Sequence, residues 1–330
     1  MDTLLYVMVR CLVAFLRSLP LPWVARLGRA GGELFYWLDA RHRGVAQRNL
    51  GLCFGSEKTA TQVRALAREN FRRIGENFAS AVKTVFMSSE ELKEFVEFAG
   101  IEKLVPDKSN RSVIIAIGHF GNFELFSRVA QFVPHLKPAA TYRGLQHPSL
   151  DRFMLSLRSR SGCRFFERRT EGQALRAALR NQGVLLGLLA DQHAGNRGLR
   201  LPFFDRDCST SPASAIFALR YDCALYSGFC FRTSLGRWRI ELGDQIATHE
   251  NGCPRTVEAI TREINHAFES AIRRDPANWF WVHNRWKPVK KARTSAGLPT
   301  DQAEQTVVNG SSEAETKGST SMTNSKVSGA

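Results

Sequence analysis

SVIIAIGHFGNFE, residues 112–124, decides how the rest of the chain is read. Ser112 to Ile117 is an unbroken apolar run rich in β-branched side chains, the pattern of a strand covered on both faces. Gly118 and Gly121 follow and give the backbone the freedom of a turn. A helix is predicted from about Asn122. His119 therefore falls just beyond the carboxyl end of a buried strand, where sites gather in α/β sheets. Glu124 stands five residues further on. On a continuous helix five residues turn the axis through about 500° and carry the two side chains apart. They meet only if His119 lies in the turn and Glu124 reaches back from the first helical turn. A carboxylate on one imidazole nitrogen would fix the tautomer and leave the other nitrogen to take a proton from a hydroxyl. The plainer alternative is that Asn122 caps the helix, Glu124 complements its dipole, and His119 is a loop histidine.

Outward from this block, short apolar runs alternate with helical stretches. Towards the N-terminus, Val63, Leu66, Phe71, Ile74, Phe78, Val82 and Val85 mark one face of an amphipathic helix, and residues 91–104 read as a transition. A short helix is predicted around Leu34 to Leu38. Towards the C-terminus, strands are predicted at Pro138 to Tyr142, Arg164 to Phe166 and Val184 to Ala190. Helices are expected through Leu150 to Ser159 and over Gly172 to Asn181, the latter ended by Gly183 as a left-handed cap. Ser211-Pro212 suits the start of another helix. Ala224 to Arg232 and Arg237 to Leu242 suit a hairpin, and Thr256 to Arg273 carries a clear apolar stripe that Asp275-Pro276 stops. The alternation predicts an α/β fold with a mixed, largely buried sheet flanked by helices, and it puts the chemistry just after Ile117 and just after Ala190.

With 330 residues, of which 43% are hydrophobic, the chain can bury a sizeable core. It is strongly basic, with 46 Lys and Arg against 31 Asp and Glu, so an anionic partner is expected: a membrane surface, a phosphorylated substrate or nucleic acid. There is no zinc finger, no RNP-like aromatic block and no long basic helix, so nucleic acid is the weaker choice. The seven cysteines are scattered and lack a C-x-x-C pair, which argues against a disulfide framework and a structural zinc site and suits a reducing, cytoplasmic-facing location. No metal is expected, since His193 and Asp191 lack a third ligand at suitable spacing. Leu4 to Leu16 is apolar apart from Arg10, too short to span a bilayer, and is read as an interfacial anchor with Arg10 snorkelling to head groups; an ordinary buried helix is the alternative. Residues 1–40 are thus taken as membrane-associated helices, 41–293 as the catalytic domain and 294–330, rich in Ser, Thr, Gly and Ala, as a disordered tail.

GHFGNFE at 118–124 resembles the H-x4-[DE] block of glycerolipid acyltransferases, and in its G-x-H-x-G-N-x-E form it is similar to the bacterial lipid A biosynthesis acyltransferase family. Other blocks agree in order: RGVAQRNL at 43–50, Tyr142-Arg143 with His147-Pro148, Arg158 with Arg160 and Gly162, Asp191-Gln192, Pro202-Phe203-Phe204, and NWFWVHNRWK at 278–287. The resemblance spans roughly residues 1–290. It implies transfer of a fatty acyl chain from acyl carrier protein or coenzyme A to a hydroxyl of a glycolipid acceptor, most simply a lipid A precursor, at the cytoplasmic face of the inner membrane. It implies His119 and Glu124 as the catalytic pair, Asn122, Arg143, Arg158, Arg160, Asp191 and Gln192 as substrate-binding residues, and no cofactor. The hydroxyl would attack the thioester directly, which suits the lack of a G-x-S-x-G elbow. The chain departs from the family pattern at His193, Asp205 and Tyr226-Ser227, which puts the acceptor more in doubt than the reaction. An acyl-CoA-dependent enzyme acting on a phosphoinositide mannoside or an amino lipid is the alternative within the class. Outside it, the alternative is a basic nucleic-acid- or membrane-binding protein without catalysis.

Overall fold

The computed structural model describes residues 2–104 and 110–287. Four helices come first: α1 (Asp2–Ser18), α2 (Leu21–Leu38), α3 (Ala40–Phe54) and α4 (Ala60–Thr84). A short α5 (Ser89–Lys93) leads into β1 (Val96–Ala99) and then β2 (Val113–Ile117). A 3-10 stretch, Phe123–Phe132, precedes β3 (Lys137–Tyr142), α6 (Pro148–Arg158), β4 (Arg164–Glu167), α7 (Gly172–Arg180) and β5 (Val184–Leu189). Next come the hairpin β6 (Leu199–Phe203) and β7 (Arg206–Thr210), α8 (Ala213–Arg220), β8 (Ala224–Ser234) and β9 (Arg237–Gln245). The two-residue strands β10 (His249–Glu250) and β11 (Cys253–Pro254) lead to α9 (Val257–Arg274).

The main sheet has the order β1-β9-β8-β2-β5-β3-β4. Strands β8, β2, β5, β3 and β4 run parallel; β9 is antiparallel to β8, and β1 runs with β9. This is the mixed, helix-flanked sheet the alternating pattern predicts. All five residues of β2 are buried. Ile114 and Ala116 join the cluster on one face of the sheet, and Val113, Ile115 and Ile117 join the other. A strand covered on both sides needs apolar residues at every position, and each fully buried Ile or Val is worth about 1.5–3 kcal/mol.

The structure differs from the sequence-based expectation in several places. The stretch after Asn122 is 3-10 rather than α-helical, and the Asn122 side chain makes no cap bond; the backbone carbonyl of Asn122 accepts from Leu125 instead. Gly183 is left-handed as expected, but Gln182 before it is too. The α8 helix is entered through Pro212 rather than capped directly by Ser211, whose hydroxyl accepts from the Ala213 amide at 3.4 Å. Strand β1 and the β6–β7 hairpin were not predicted. Nor was most of α2, whose interior glycines lower intrinsic helix propensity by about 1 kcal/mol each.

Two of them, Gly28 and Gly32, have a packing reason. Helices α2 and α4 cross with backbones touching: a Cβ built on Gly75 would lie 2.1 Å from the Gly28 carbonyl oxygen, and one on Gly32 would lie 2.1 Å from that of Phe71. Gly75→Val is expected to force the helices apart and cost at least about 2 kcal/mol, read as a lowered unfolding temperature and faster proteolysis of the α1–α2 segment. An unchanged unfolding temperature would refute the tight crossing.

No helix among the described residues is long and apolar enough to cross a membrane. Helices α1 and α2 nonetheless leave large apolar side chains on the surface, among them Leu4, Met8, Leu12, Phe15, Trp23 and Trp37. The predicted tail, 294–330, lies outside the described residues.

Candidate active site

Two neighbouring strands build the site. Ile117 at the end of β2 pairs with Leu189 at the end of β5, and the Ala190 amide donates to the Ile117 carbonyl at 3.0 Å. The residue two beyond each strand is His119 in one case and Asp191 in the other, so equal offsets from paired strand ends bring them together. The Asp191 carboxylate accepts from the His119 backbone amide at 2.7 Å, lies 2.7 Å from His119 Nδ1, and accepts from Trp279 Nε1 at 2.6 Å. It is 1% exposed. Burial alone would raise its pKa, but the His119 charge, the bonds to His119 and the Trp279 indole outweigh that and hold the carboxyl below its ordinary value. An ionised Asp191 can only accept, so Nδ1 carries the proton of the neutral imidazole and Nε2 is left with its lone pair. Nε2 faces the Gln192 amide nitrogen at 3.3 Å.

The turn that presents His119 is fixed by close approach. Gly121 has φ of +51°, and a Cβ there would meet the Cys230 carbonyl oxygen at 2.3 Å. Its amide donates to the Asn278 carbonyl at 3.1 Å. The imidazole sits against Phe123 and Phe280, with ring centroids 4.9 and 5.9 Å away. These rings, with Phe78, His119, Asn122 and Glu124, line a narrow cleft of about 20 Å³, room for a water-sized group.

Glu124 lines the same cleft but does not make the bond to His119 that the H-x4-E spacing suggested. Its carboxylate accepts from Arg158 instead, at 2.5 Å from Nη2 and 3.2 Å from Nε, a fork-to-carboxylate contact. The physical reason lies in the turn: Asp191 already occupies the Nδ1 side of His119, and Arg158, at the end of α6, faces the Glu124 carboxylate. Burial would lower the Arg158 pKa, and the bond to Glu124 outweighs it and raises it. Arg158 is therefore committed to a carboxylate rather than open to a phosphate. Arg143 is exposed in the loop after β3, and Arg160 is exposed and stands over the Phe86 ring at 5.1 Å. Asn122 is 1% exposed, and neither its amide nitrogen nor its oxygen has a partner.

The aromatic-basic segment 278–287 buries Trp279 and Trp281 in the core and clamps the Asp191 loop. Trp279 donates to Asp191, and His283 Nε2 accepts from the His193 amide at 3.0 Å. Burial pushes the His283 pKa down to about 4, so the ring is a neutral acceptor. The fully buried Arg285 donates to the Ser209 carbonyl and, at 2.8 Å, to the Thr210 hydroxyl. Asn70 donates to the carbonyls of Ala277 and Trp279, at 2.9 and 2.6 Å, and Asn49 to those of Trp281 and His283, at 2.9 and 2.8 Å. Trp279, His283, Arg285, Asn49 and Asn70 are thus site-supporting residues that the sequence reading did not nominate. Among the described residues, no group of three or more His, Cys, Asp or Glu is placed to hold a metal ion.

A family model described as bacterial lipid A biosynthesis acyltransferase matches residues 2–288. The chain is 23% identical to the lipid A biosynthesis palmitoleoyltransferase of Escherichia coli (strain K12), over 82% of this chain and 87% of that protein. It is 24% identical to the lipid A biosynthesis lauroyltransferase of the same strain, over 82% and 87% of the two chains. A lipid A biosynthesis acyltransferase of Haemophilus influenzae matches at 23% identity over 86% and 91%. A match that runs through every element from α1 to the 278–287 clamp takes in the whole frame that brings His119 to Asp191, and the chain accordingly belongs to the bacterial lipid A biosynthesis acyltransferase family and is an acyltransferase.

Proposed function

We propose that the protein transfers a fatty acyl chain from the thioester of acyl carrier protein, or of coenzyme A, to a hydroxyl of a lipid A precursor, with His119 as general base and Asp191 as the carboxylate that orients it. The observation that carries this reading is the buried Asp191 on His119 Nδ1, which leaves Nε2 as the basic atom at the cleft. The acceptor hydroxyl gives its proton to Nε2 as its oxygen attacks the thioester carbonyl. The tetrahedral oxyanion then collapses, the carbon–sulfur bond breaks, and the imidazolium returns the proton to the departing thiolate. The new ester and a free thiol are the products, and no acyl-enzyme forms. The buried, unpartnered Asn122 amide at the same cleft is suited to receive the oxyanion or the hydroxyl. Glu124, held by Arg158, lines the cleft and positions the substrate.

The enzyme works at the membrane surface, on the cytoplasmic face of the inner membrane in this reading. Support comes from the apolar side chains that α1 and α2 leave exposed and from the net charge of +15. The test is an acyl-transfer assay with labelled thioester donors and lipid A precursor. Wild type is expected to transfer from at least one donor class, and a wild type inactive with both would overturn the acceptor assignment. Glu124→Gln is expected to lose about 10- to 100-fold, a positioning effect smaller than loss of the base. If Glu124→Gln instead falls as far as His119→Ala while Asp191→Asn stays active, then Glu124 is the partner of His119 in the working state.

A further inference from the structure

A second, open cleft of about 640 Å³ lies between α1 and α6. Three guanidinium groups line it, Arg10 and Arg17 from α1 and Arg160 from just beyond α6, and among the described residues no Asp or Glu does. None of the three makes an ion pair among the described residues, whereas Arg29, Arg72, Arg73 and Arg158 all do. Arg17 and Arg160 both stand over the one Phe86 ring, at 4.9 and 5.1 Å from its centroid, and Arg10 stands over Tyr6 at 5.7 Å. Aromatic faces orient the guanidiniums without neutralising them. Gathering three like charges in one cleft with no counter-charge costs electrostatic energy that an anion recovers. Guanidinium forks match the oxygens of a phosphate, and several converging on one group suit its doubly charged monoester. The other lining is partly apolar, with Val13, Phe153 and Leu157. The occupant therefore has an anionic head and an apolar body.

The cleft is also next to the chemistry. Arg158 bonds Glu124 of the catalytic cleft, and Arg160, two residues on, lines this one. We infer that the Arg10–Arg17–Arg160 cleft binds a phosphate monoester carried by the lipid acceptor, holding its headgroup while the reacting hydroxyl lies at His119. This rests on the reading of the acceptor as a membrane glycolipid.

The test uses the full chain as wild type, as Arg17→Gln/Arg160→Gln, and as Arg26→Gln, a control on the exposed surface of α2. Equal unfolding temperatures for the three establish that folding is intact. Binding is measured to phosphatidylcholine vesicles containing phosphatidic acid, a monoester, or phosphatidylglycerol, a diester, at matched surface charge. The double variant is expected to bind phosphatidic acid vesicles about tenfold more weakly while its binding to phosphatidylglycerol vesicles changes less. Arg26→Gln should shift both alike and by less. In the transfer assay the double variant should raise KM for a phosphorylated lipid acceptor about tenfold with kcat retained. The inference is overturned if the double variant binds and reacts as wild type, if Arg26→Gln loses as much, or if free inorganic phosphate displaces the vesicles as well as a lipid phosphate does. Arginine-dependent binding to phosphatidic acid in a wild type that transfers no acyl group would overturn the proposed reaction and leave this site standing.

Discussion

Asp191→Asn is expected to lower kcat for acyl transfer about 10³- to 10⁴-fold, and His119→Ala at least as much, with both proteins still folded. Asp191 receives three N–H donors: the His119 backbone, the His119 ring and the Trp279 indole. An asparagine can accept at one atom only. With its oxygen turned to the backbone and indole donors, its NH2 group faces Nδ1 and donates to it. The imidazole must then carry its proton on Nε2, the atom that has to accept from the hydroxyl. The charge that stabilises the imidazolium disappears as well. The loss should appear in kcat more than in KM, because the interaction strengthens only as the proton transfers. A variant with more than a tenth of wild-type kcat would remove Asp191 from the mechanism.

The same carboxylate has a stability signature. Its folded pKa lies below the ordinary value, so it contributes stability that is present above the usual carboxylate range and lost as pH falls through the folded pKa. The stability gap between wild type and Asp191→Asn should therefore be open at neutral pH and close under acid, in denaturant titrations at each pH.

How far the sequence could be read follows from where its information is local. The run SVIIAI states its own environment, because a short β-branched apolar run ended by glycine suits a strand covered on both faces. The site's place was legible for the same reason, just beyond Ile117 and just beyond Ala190. What was not legible was which carboxylate reaches His119. Glu124 is five residues away in the chain, and Asp191 is 72 residues away but joined through the register of β2 on β5. The apolar runs end at Ile117 and Ala190, so the equal offset of two residues appears only once β2 and β5 are paired, with Ile117 opposite Leu189. Helix α2 was hidden differently. Its glycines lower helix propensity, and the α4 backbone against Gly28 and Gly32 explains why those two stand there.

Glu76 on α4 illustrates the same limit, and Glu76→Ala is expected to cost about 3–5 kcal/mol. The apolar spacing of α4 predicted a stripe through Ile74 and Phe78 as the buried face. In the structure the helix buries Glu76 fully, while Phe78 is 51% exposed and makes edge contacts with Phe123 and Phe280 at the catalytic cleft. Glu76 accepts from Arg232 Nε at 2.9 Å, from Arg29 at 3.2 Å and from the Gly236 amide at 2.8 Å, so one carboxylate ties α2 and the β8–β9 turn to α4. Alanine leaves the Arg232 guanidinium, only 15% exposed, without its counter-charge, and leaves a buried amide unpaired. The penalty is that of the orphaned partners rather than the worth of the pair, so Glu76→Leu with Arg232→Leu should recover the part due to the guanidinium while the Gly236 amide stays unpaired. Denaturant midpoints of the single and double variants decide this. A single variant within about 1 kcal/mol of wild type would mean that the groups reach water when Glu76 is removed. Because α4 carries Phe78 to the cleft, the single variant should also lose transfer activity before it unfolds, and the double variant should regain it.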